Sequence, residues 1–309
     1  MLCYNVLRTV ISIKIVKNLL KKYKVRPSKR FGQNFLIDRN VLRKIITTAD
    51  LRSKDVILEV GPGTGILTQG LAGKVKEVIA IEKDPKMVKI LQETTKNLKN
   101  VKIIQGDILK LNTVNCRAIT RSEATGSKNY KLKTTNYKLV ANLPYYIVSP
   151  VIRKFLESNY PPKLMILMTQ KEVAQRIIAK PPNMSLLAVS VQFYAKPEIV
   201  SYISKKSFWP QPKVDSAILK ITPEKNQQRP DLCGLFFRIV RAGFSQPRKQ
   251  LINNLARLRQ GFGGQAKISE TDRQKIENWL LKNKIRPSQR AETLSVQEWL
   301  KLTKTFNFT

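Results

Sequence analysis

The sequence predicts an α/β protein: a doubly wound parallel sheet followed by a small all-helical domain. Three observations carry this expectation. From Asp55 onward short apolar runs alternate with longer amphipathic stretches, which is the pattern of successive βαβ units. The motif Glu59-Val60-Gly61-Pro62-Gly63-Thr64-Gly65 ends the first of those runs in a glycine-rich turn, at the kind of strand-to-helix junction where open α/β sheets bind ligands. Beyond Thr222-Pro223-Glu224-Lys225-Asn226 the β-branched runs stop and helix-period segments take over.

Taken in order, the runs Val56–Val60, Val78–Glu82, Val101–Gln105 and Lys138–Asn142 predict strands. Between them Thr64–Ala72 and Pro85–Leu98 predict helices, the second with Asp84 as its cap and Pro85 in its first turn. Lys163–Thr169, Glu198–Ile203 and Ser216–Ile221 predict further strands, while Lys171–Ala179 and Ser185–Ala195 fit either type. Helices are then expected at Leu232–Ala242, Arg248–Arg259, Ser269–Lys282 and Ser295–Phe306, with joints at Gly261-Phe262-Gly263-Gly264 and Ile285-Arg286-Pro287-Ser288. The expected division is a basic N-terminal extension (1–24), a sheet domain (25–223) and a helical domain (224–309). Residues 112–137 are polar and basic, with Asn129-Tyr130-Lys131-Leu132 nearly repeated as Asn136-Tyr137-Lys138-Leu139. This stretch reads as a surface insertion, since a loop so long inside a domain is functional or disordered.

Composition narrows the function. The 309 residues carry 57 Lys+Arg against 21 Asp+Glu, a formal charge of +36, which calls for a polyanionic partner such as nucleic acid. The chain has no histidine, so a Ser-His-Asp triad, an H-E-x-x-H zinc site and an imidazole base are excluded. Cys3, Cys116 and Cys233 match neither a disulfide framework nor paired zinc ligands; no metal is expected, and a reducing cytosol is the expected setting. Residues 1–37 contain no acid, so the leader reads as a basic, RNA-touching or disordered arm, with an organellar transit peptide left open. Its apolar run Val10–Val16 is interrupted by Lys14 and is too short to span a bilayer, so no membrane partner is expected.

The glycine turn lacks the Gly-Lys-Ser/Thr ending of a phosphate loop, and its third glycine comes one residue early for the dinucleotide spacing. A polyphosphate is therefore not its expected ligand. Glu82 ends the second strand about twenty residues later, where a carboxylate can accept both ribose hydroxyls. Asp107 follows the third strand and is placed to orient an adenine amine. Together these positions would hold an adenosine moiety at the carboxyl edge of the sheet. Asn142-Leu143-Pro144-Tyr145 ends the fourth strand. An exocyclic amine on adenine is a poor nucleophile because its lone pair is delocalised into the ring. The Asn142 amide oxygen and the Leu143 carbonyl, turned by the following proline, can hold its hydrogens, and Tyr145 offers a face for stacking the base. Taken singly, each feature also has an ordinary reading: a tight turn, a helix cap, or a strand-ending turn with a core tyrosine.

These motifs, with Lys29-Arg30-Phe31-Gly32-Gln33-Asn34-Phe35-Leu36, Phe208-Trp209-Pro210-Gln211-Pro212-Lys213-Val214-Asp215-Ser216-Ala217, Phe244-Ser245-Gln246-Pro247-Arg248-Lys249 and Arg290-Ala291-Glu292-Thr293-Leu294, closely resemble the ribosomal RNA adenine N6,N6-dimethyltransferase family. The resemblance runs from Lys29 to Phe306. It implies a Rossmann-like S-adenosylmethionine-dependent methyltransferase sheet and a C-terminal domain that engages RNA. It further implies that Asn34 and Leu36 close over the methyl donor, and that Gly61, Gly63, Glu82, Asp107 and Asn142 line its pocket. Asn142, Leu143, Pro144 and Tyr145 would face the target adenine, with Phe208 stacked on its other side. The implied substrate is a pair of adjacent adenosines in a hairpin loop near the 3′ end of small-subunit ribosomal RNA, each taking two methyl groups. The 112–137 insertion, the basic leader and the joint at Gly261 depart from the family pattern without removing a motif residue.

The expected reaction is direct displacement of the sulfonium methyl by the amine, for which alignment suffices without a metal or a covalent nucleophile. Arg238, Arg241, Arg248, Lys249, Arg257 and Arg259 are placed to track phosphates. The immature small ribosomal subunit is the expected partner, the chain is expected to act as a monomer in the cytoplasm, and a role in subunit biogenesis follows. Two rivals stand beside this reading: a large-subunit adenine methyltransferase of the antibiotic-resistance type, and a non-catalytic assembly or mitochondrial transcription factor on the same fold.

Overall fold

The structure is a computed structural model that describes residues 13–28, 32–110, 136–224, 230–258 and 270–307. Lys29-Arg30-Phe31, most of the 112–137 insertion, Cys3, Cys116, Arg259 and the Gly261–Gly264 joint lie outside the described residues.

The described chain opens with helix α1 (Ile13–Lys22) and the short strand β1 (Phe35–Leu36). Helix α2 (Arg39–Thr48) follows, capped by Asp38, whose carboxylate accepts from the Asn40 and Val41 N–H groups. Strand β2 (Val56–Val60) leads into α3 (Ile66–Ala72), and β3 (Glu77–Glu82) into α4 (Pro85–Thr94). Strands β4 (Val101–Gln105) and β5 (Tyr137–Asn142) come next, then α5 (Val148–Leu156), β6 (Leu164–Gln170), α6 (Lys171–Ile177) and α7 (Leu186–Tyr194). The sheet finishes with β7 (Ala195–Ile203), β8 (Phe208–Trp209) and β9 (Ser216–Pro223). Helices α8 (Pro230–Gly243), α9 (Leu251–Leu255), α10 (Glu270–Lys282) and α11 (Val296–Lys304) complete the chain.

Residues 1–174 and 196–223 form one compact unit, and 175–195 with 224–309 form a second. In the first unit seven strands lie in the order β4-β3-β2-β5-β6-β9-β7. The pairings of β2 with β3 and β5, of β3 with β4 and of β5 with β6 are parallel, whereas β9 runs antiparallel to β6. The expectation of a parallel sheet therefore holds for its first five strands and is corrected at β9. All five residues of β2 are buried, as are the first six of β6, as required of strands covered on both faces. Val41, Leu42, Ile45 and Ile46 of α2 pack with Leu67 and Leu71 of α3 in one core cluster.

The leader is not a disordered arm where it is described. Val16 and Leu20 of α1 are buried with Val25, Phe35, Met87 and Ile90. Glu93 in α4 pairs with Lys22 at 2.5 Å and accepts from the Tyr23 hydroxyl. Helix α4 stops at Thr94, four residues short of the expected end.

The second unit differs from the sequence reading in two ways. Residues 175–195, expected in the sheet domain, belong to it, and its core joins Val189 and Phe193 of α7 to Phe236, Ile239 and Val240 of α8. The helix expected over Arg248–Arg259 is only α9 plus a 3-10 turn at Ala256–Leu258. Arg248 and Lys249 precede it in a turn, where the Asn254 side chain donates to the Gly243 and Gln246 carbonyls.

Candidate active site

Strand β2 is flanked by β3 on one side and β5 on the other, so chain order reverses beside it and a crevice opens at the carboxyl ends of these strands. One pocket occupies that crevice. Its lining comes from the glycine turn after β2, Glu82 and Lys83 after β3, Gly106 to Leu109 after β4, Asn142 to Ile147 after β5, and a cover made of Gly32 to Leu36 with Phe208.

The glycine turn is shaped by conformations that other residues resist. Gly63 has φ +58, and a Cβ there would come within 3.3 Å of the Phe35 ring. Gly65 has φ +80, and a Cβ would meet the Thr94 hydroxyl at 2.7 Å and Leu91 at 2.9 Å. The turn thus lies against the cover on one side and α4 on the other.

Three carboxyl groups line the pocket. Glu82 is buried; it accepts from the Gly63 N–H at 3.2 Å and the Asp84 N–H at 2.9 Å. Burial raises its pKa, against the pull of those N–H donors. Glu59, within β2, is 1% exposed and neither of its oxygens reaches a hydrogen-bond partner. Burial pushes its pKa up to about 8; the nearby Thr68 hydroxyl favours ionisation but stands beyond bonding distance. Asp107 pairs with the Lys83 ammonium at 2.9 Å and accepts from the Leu109 N–H. Burial would raise its pKa, but Lys83 and the N–H hold it below the ordinary carboxylate value.

The tip of β5 meets the cover directly. The Asn142 amide donates to the Asn34 carbonyl at 3.2 Å, and the Asn34 side chain donates to the Gly32 carbonyl at 3.2 Å. Strand β1 pairs antiparallel with β8, Phe35 opposite Trp209 and Leu36 opposite Phe208, which brings Phe208 to the pocket. The Gln33 side chain donates to Asp84 at 3.0 Å. Beyond Leu143 and Pro144 the chain enters a 3-10 turn at Tyr145–Ile147. Tyr145 is half-buried and shares a hydrogen bond with Ser216 at 3.0 Å, whereas Tyr146 is 57% exposed at the mouth.

Such a pocket suits a cation: with Glu59 holding its proton, Glu82 and Asp107 outweigh the one lysine of its lining, inside a chain of net charge +36. Residues 24–307 match the model of a family described as ribosomal RNA adenine dimethylase. The chain belongs to the ribosomal RNA adenine dimethylase family. It is 42% identical over 284 residues to a ribosomal RNA small subunit methyltransferase A from Dehalococcoides mccartyi, covering 92% of this chain and 89% of that protein. The protein of the same name from Geobacillus kaustophilus is 37% identical over 292 residues, with 93% of each chain covered. Among solved structures, a dimethyladenosine transferase from Plasmodium falciparum matches with TM-score 0.67 and 27% identity, covering 87% of this chain and 95% of that one. The 23S rRNA methyltransferase ErmE, at 24% identity and TM-score 0.64, shares the fold.

Membership of this adenine dimethylase family makes the chain a methyltransferase and supports S-adenosylmethionine as its methyl donor. The buried carboxylates and the glycine turn fit that donor. Every expected site residue of the first unit lies in the one pocket: Asn34, Leu36, Gly61, Gly63, Glu82, Asp107, Asn142, Leu143, Pro144, Tyr145 and Phe208. Sequence reasoning gave no role to Gln33, Glu59, Lys83 or Tyr146, which line it too, nor to Ser216 behind Tyr145. Gln33, Glu59 and Ser216 stood within recognised motifs; Lys83 and Tyr146 gave no signal of their own. In the second unit Arg238, Arg241, Arg248 and Lys249 are exposed, with Arg238 over the Phe306 ring and Arg241 over Phe237. Among the described residues no helix is long and apolar enough to cross a membrane.

Proposed function

We propose that this chain dimethylates N6 of two adjacent adenosines in a hairpin loop near the 3′ end of small-subunit ribosomal RNA. The observation that carries this reading is the meeting of Asn142, Leu143, Pro144 and Tyr145 with Gly61, Gly63, Glu82 and Asp107 in a single pocket. The names of the curated relatives favour the small subunit, whereas the likeness to the large-subunit enzyme extends only to fold.

S-adenosylmethionine, when bound, supplies an electrophilic methyl on a sulfonium centre. The glycine turn gives its backbone close approach, Glu82 accepts from the ribose, and Asp107 faces the adenine end. Asn34 and Leu36 close over the donor. The substrate adenine lies between Tyr145 and Phe208, with its amine hydrogens taken by the Asn142 and Leu143 oxygens, so that the nitrogen lone pair is localised toward the methyl. Each methylated ammonium loses its proton to water, so no base is required of the chain. Arg238, Arg241, Arg248 and Lys249 hold phosphates of the RNA. The chain acts as a monomer on immature small subunits in the cytoplasm, and neither a metal nor a membrane takes part.

Immature small subunits and, in parallel, large subunits incubated with the chain and methyl-labelled S-adenosylmethionine test this. Label on two neighbouring adenosines near the 3′ end of the small-subunit RNA is expected. Label confined to large-subunit RNA, or none at all, would overturn it in favour of one of the rival readings.

A further inference from the structure

The motif Lys213-Val214-Asp215-Ser216-Ala217 has no role in the reading above. Because β9 runs antiparallel to β6, its first residue rather than its last reaches the carboxyl edge of the sheet, with Ser216 opposite Gln170. Ser216 is fully buried, and its hydroxyl shares a hydrogen bond with the Tyr145 hydroxyl at 3.0 Å. The preceding residue is pinned on two sides: the Asp215 carbonyl accepts from Lys171 N–H at 3.0 Å, and its carboxylate accepts from Lys205 N–H at 3.0 Å. The serine therefore stands on a rigid strand start. Tyr145 does not, since it lies in a single 3-10 turn closed by the Ile147 N–H to Pro144 carbonyl bond at 3.1 Å. A phenol at its ordinary pKa is already protonated across the neutral range, and burial moves that of Tyr145 further up.

We infer that Ser216 is a positioning residue for methyl transfer, fixing the Tyr145 ring through its hydroxyl so that a stacked adenine presents its amine in one orientation. This rests on the proposed role of Tyr145 as the base-stacking face. A ring anchored only at Cα and Cβ turns about two side-chain torsions; one anchored at its far end as well keeps a single pose. The bond touches neither the glycine turn nor the buried acids, so its loss affects turnover rather than donor binding.

The test compares S216A, Y145F and the double variant on immature small subunits, with calorimetric binding of S-adenosylmethionine as a check on folding. Removing the bond from either end is expected to lower kcat about threefold to tenfold, the range for loss of one net hydrogen bond. Donor affinity should stay within about twofold, and the double variant should be no slower than the slower single. S216T, which restores the hydroxyl, should recover most of the rate. Wild-type kcat in a folded S216A, or additive losses in the double variant, would overturn the inference. If S216A binds no donor because it fails to fold, Y145F decides alone: a wild-type rate overturns the inference. Absence of transfer by the wild-type chain would instead overturn the proposed function.

Discussion

The Gln33 side-chain amide donates to the Asp84 carboxylate at 3.0 Å, while the same carboxylate caps α4 by accepting from the Lys86 N–H at 2.9 Å. One aspartate thereby fixes the start of a helix and holds the cover of the pocket. On the far side the Asn34 carbonyl receives the Asn142 amide, so the Gly32–Leu36 segment is tied to the ends of both β3 and β5. Replacing Gln33 with leucine keeps the bulk and removes the tie, together with the bond that its side-chain oxygen accepts from the Ser28 N–H at 2.8 Å. Donor affinity should fall about threefold to tenfold, with the thermal midpoint nearly unchanged because the Asp84 cap survives. Equal donor affinity in Q33L and wild type, by calorimetry, would show that the tie does not govern closure.

Gly65 tests the packing of the glycine turn. Its φ of +80 and the 2.7 Å approach a Cβ would make to Thr94 give alanine both backbone strain and a clash. G65A should lose about 1–3 kcal/mol of stability in denaturant unfolding. A loss below about 0.5 kcal/mol, the range of ordinary surface substitutions, would mean that the turn relaxes freely.

Glu59 gives stability a pH dependence of defined sign. The folded chain keeps its proton to about pH 8, and the unfolded chain releases it near 4.5. Between those values the unfolded state binds fewer protons, so stability from this group is lost as pH rises. E59Q removes the titration, and its unfolding free energy should decline less than that of wild type from about pH 5 to about pH 8. Parallel profiles for the two proteins would contradict the assignment.

Charge reversal of Arg238, Arg241, Arg248 and Lys249 together should weaken RNA binding and flatten its salt dependence. The slope of log affinity against log salt should shrink by about 0.7 for each phosphate of single-stranded RNA that the chain no longer neutralises. An unchanged slope would remove these four residues from the RNA interface.

Much of this was legible in the sequence because strands buried on both faces read as apolar runs. Val56–Val60, buried throughout, appears as expected, and Asp84 before Pro85 marked a helix start; Val101–Gln105 also appears as expected although Ile104 is its one buried residue. The ends were harder: α4 stops at Thr94 with neither glycine nor proline nearby to mark the boundary. Helix α2 went unread although Val41, Leu42, Ile45 and Ile46 repeat at helical spacing behind the Asp38 cap. Helix α5 was hidden by Pro150 among β-branched residues. The pocket's strand ends were foreseeable from topology alone. Its ties were not: Gln33 to Asp84, Tyr145 to Ser216 and Asn142 to Asn34 join residues 51, 71 and 108 positions apart, and no local pattern encodes such pairings.

Turnover by N142A on immature small subunits tests the central claim most directly. The variant also loses the tie to Asn34, so donor affinity should fall about threefold to tenfold; at saturating S-adenosylmethionine it should still transfer methyl groups about 100-fold more slowly or worse, as when one aligned polar group is removed from a transition state. A folded N142A that methylates adenosine at the wild-type rate would contradict the account.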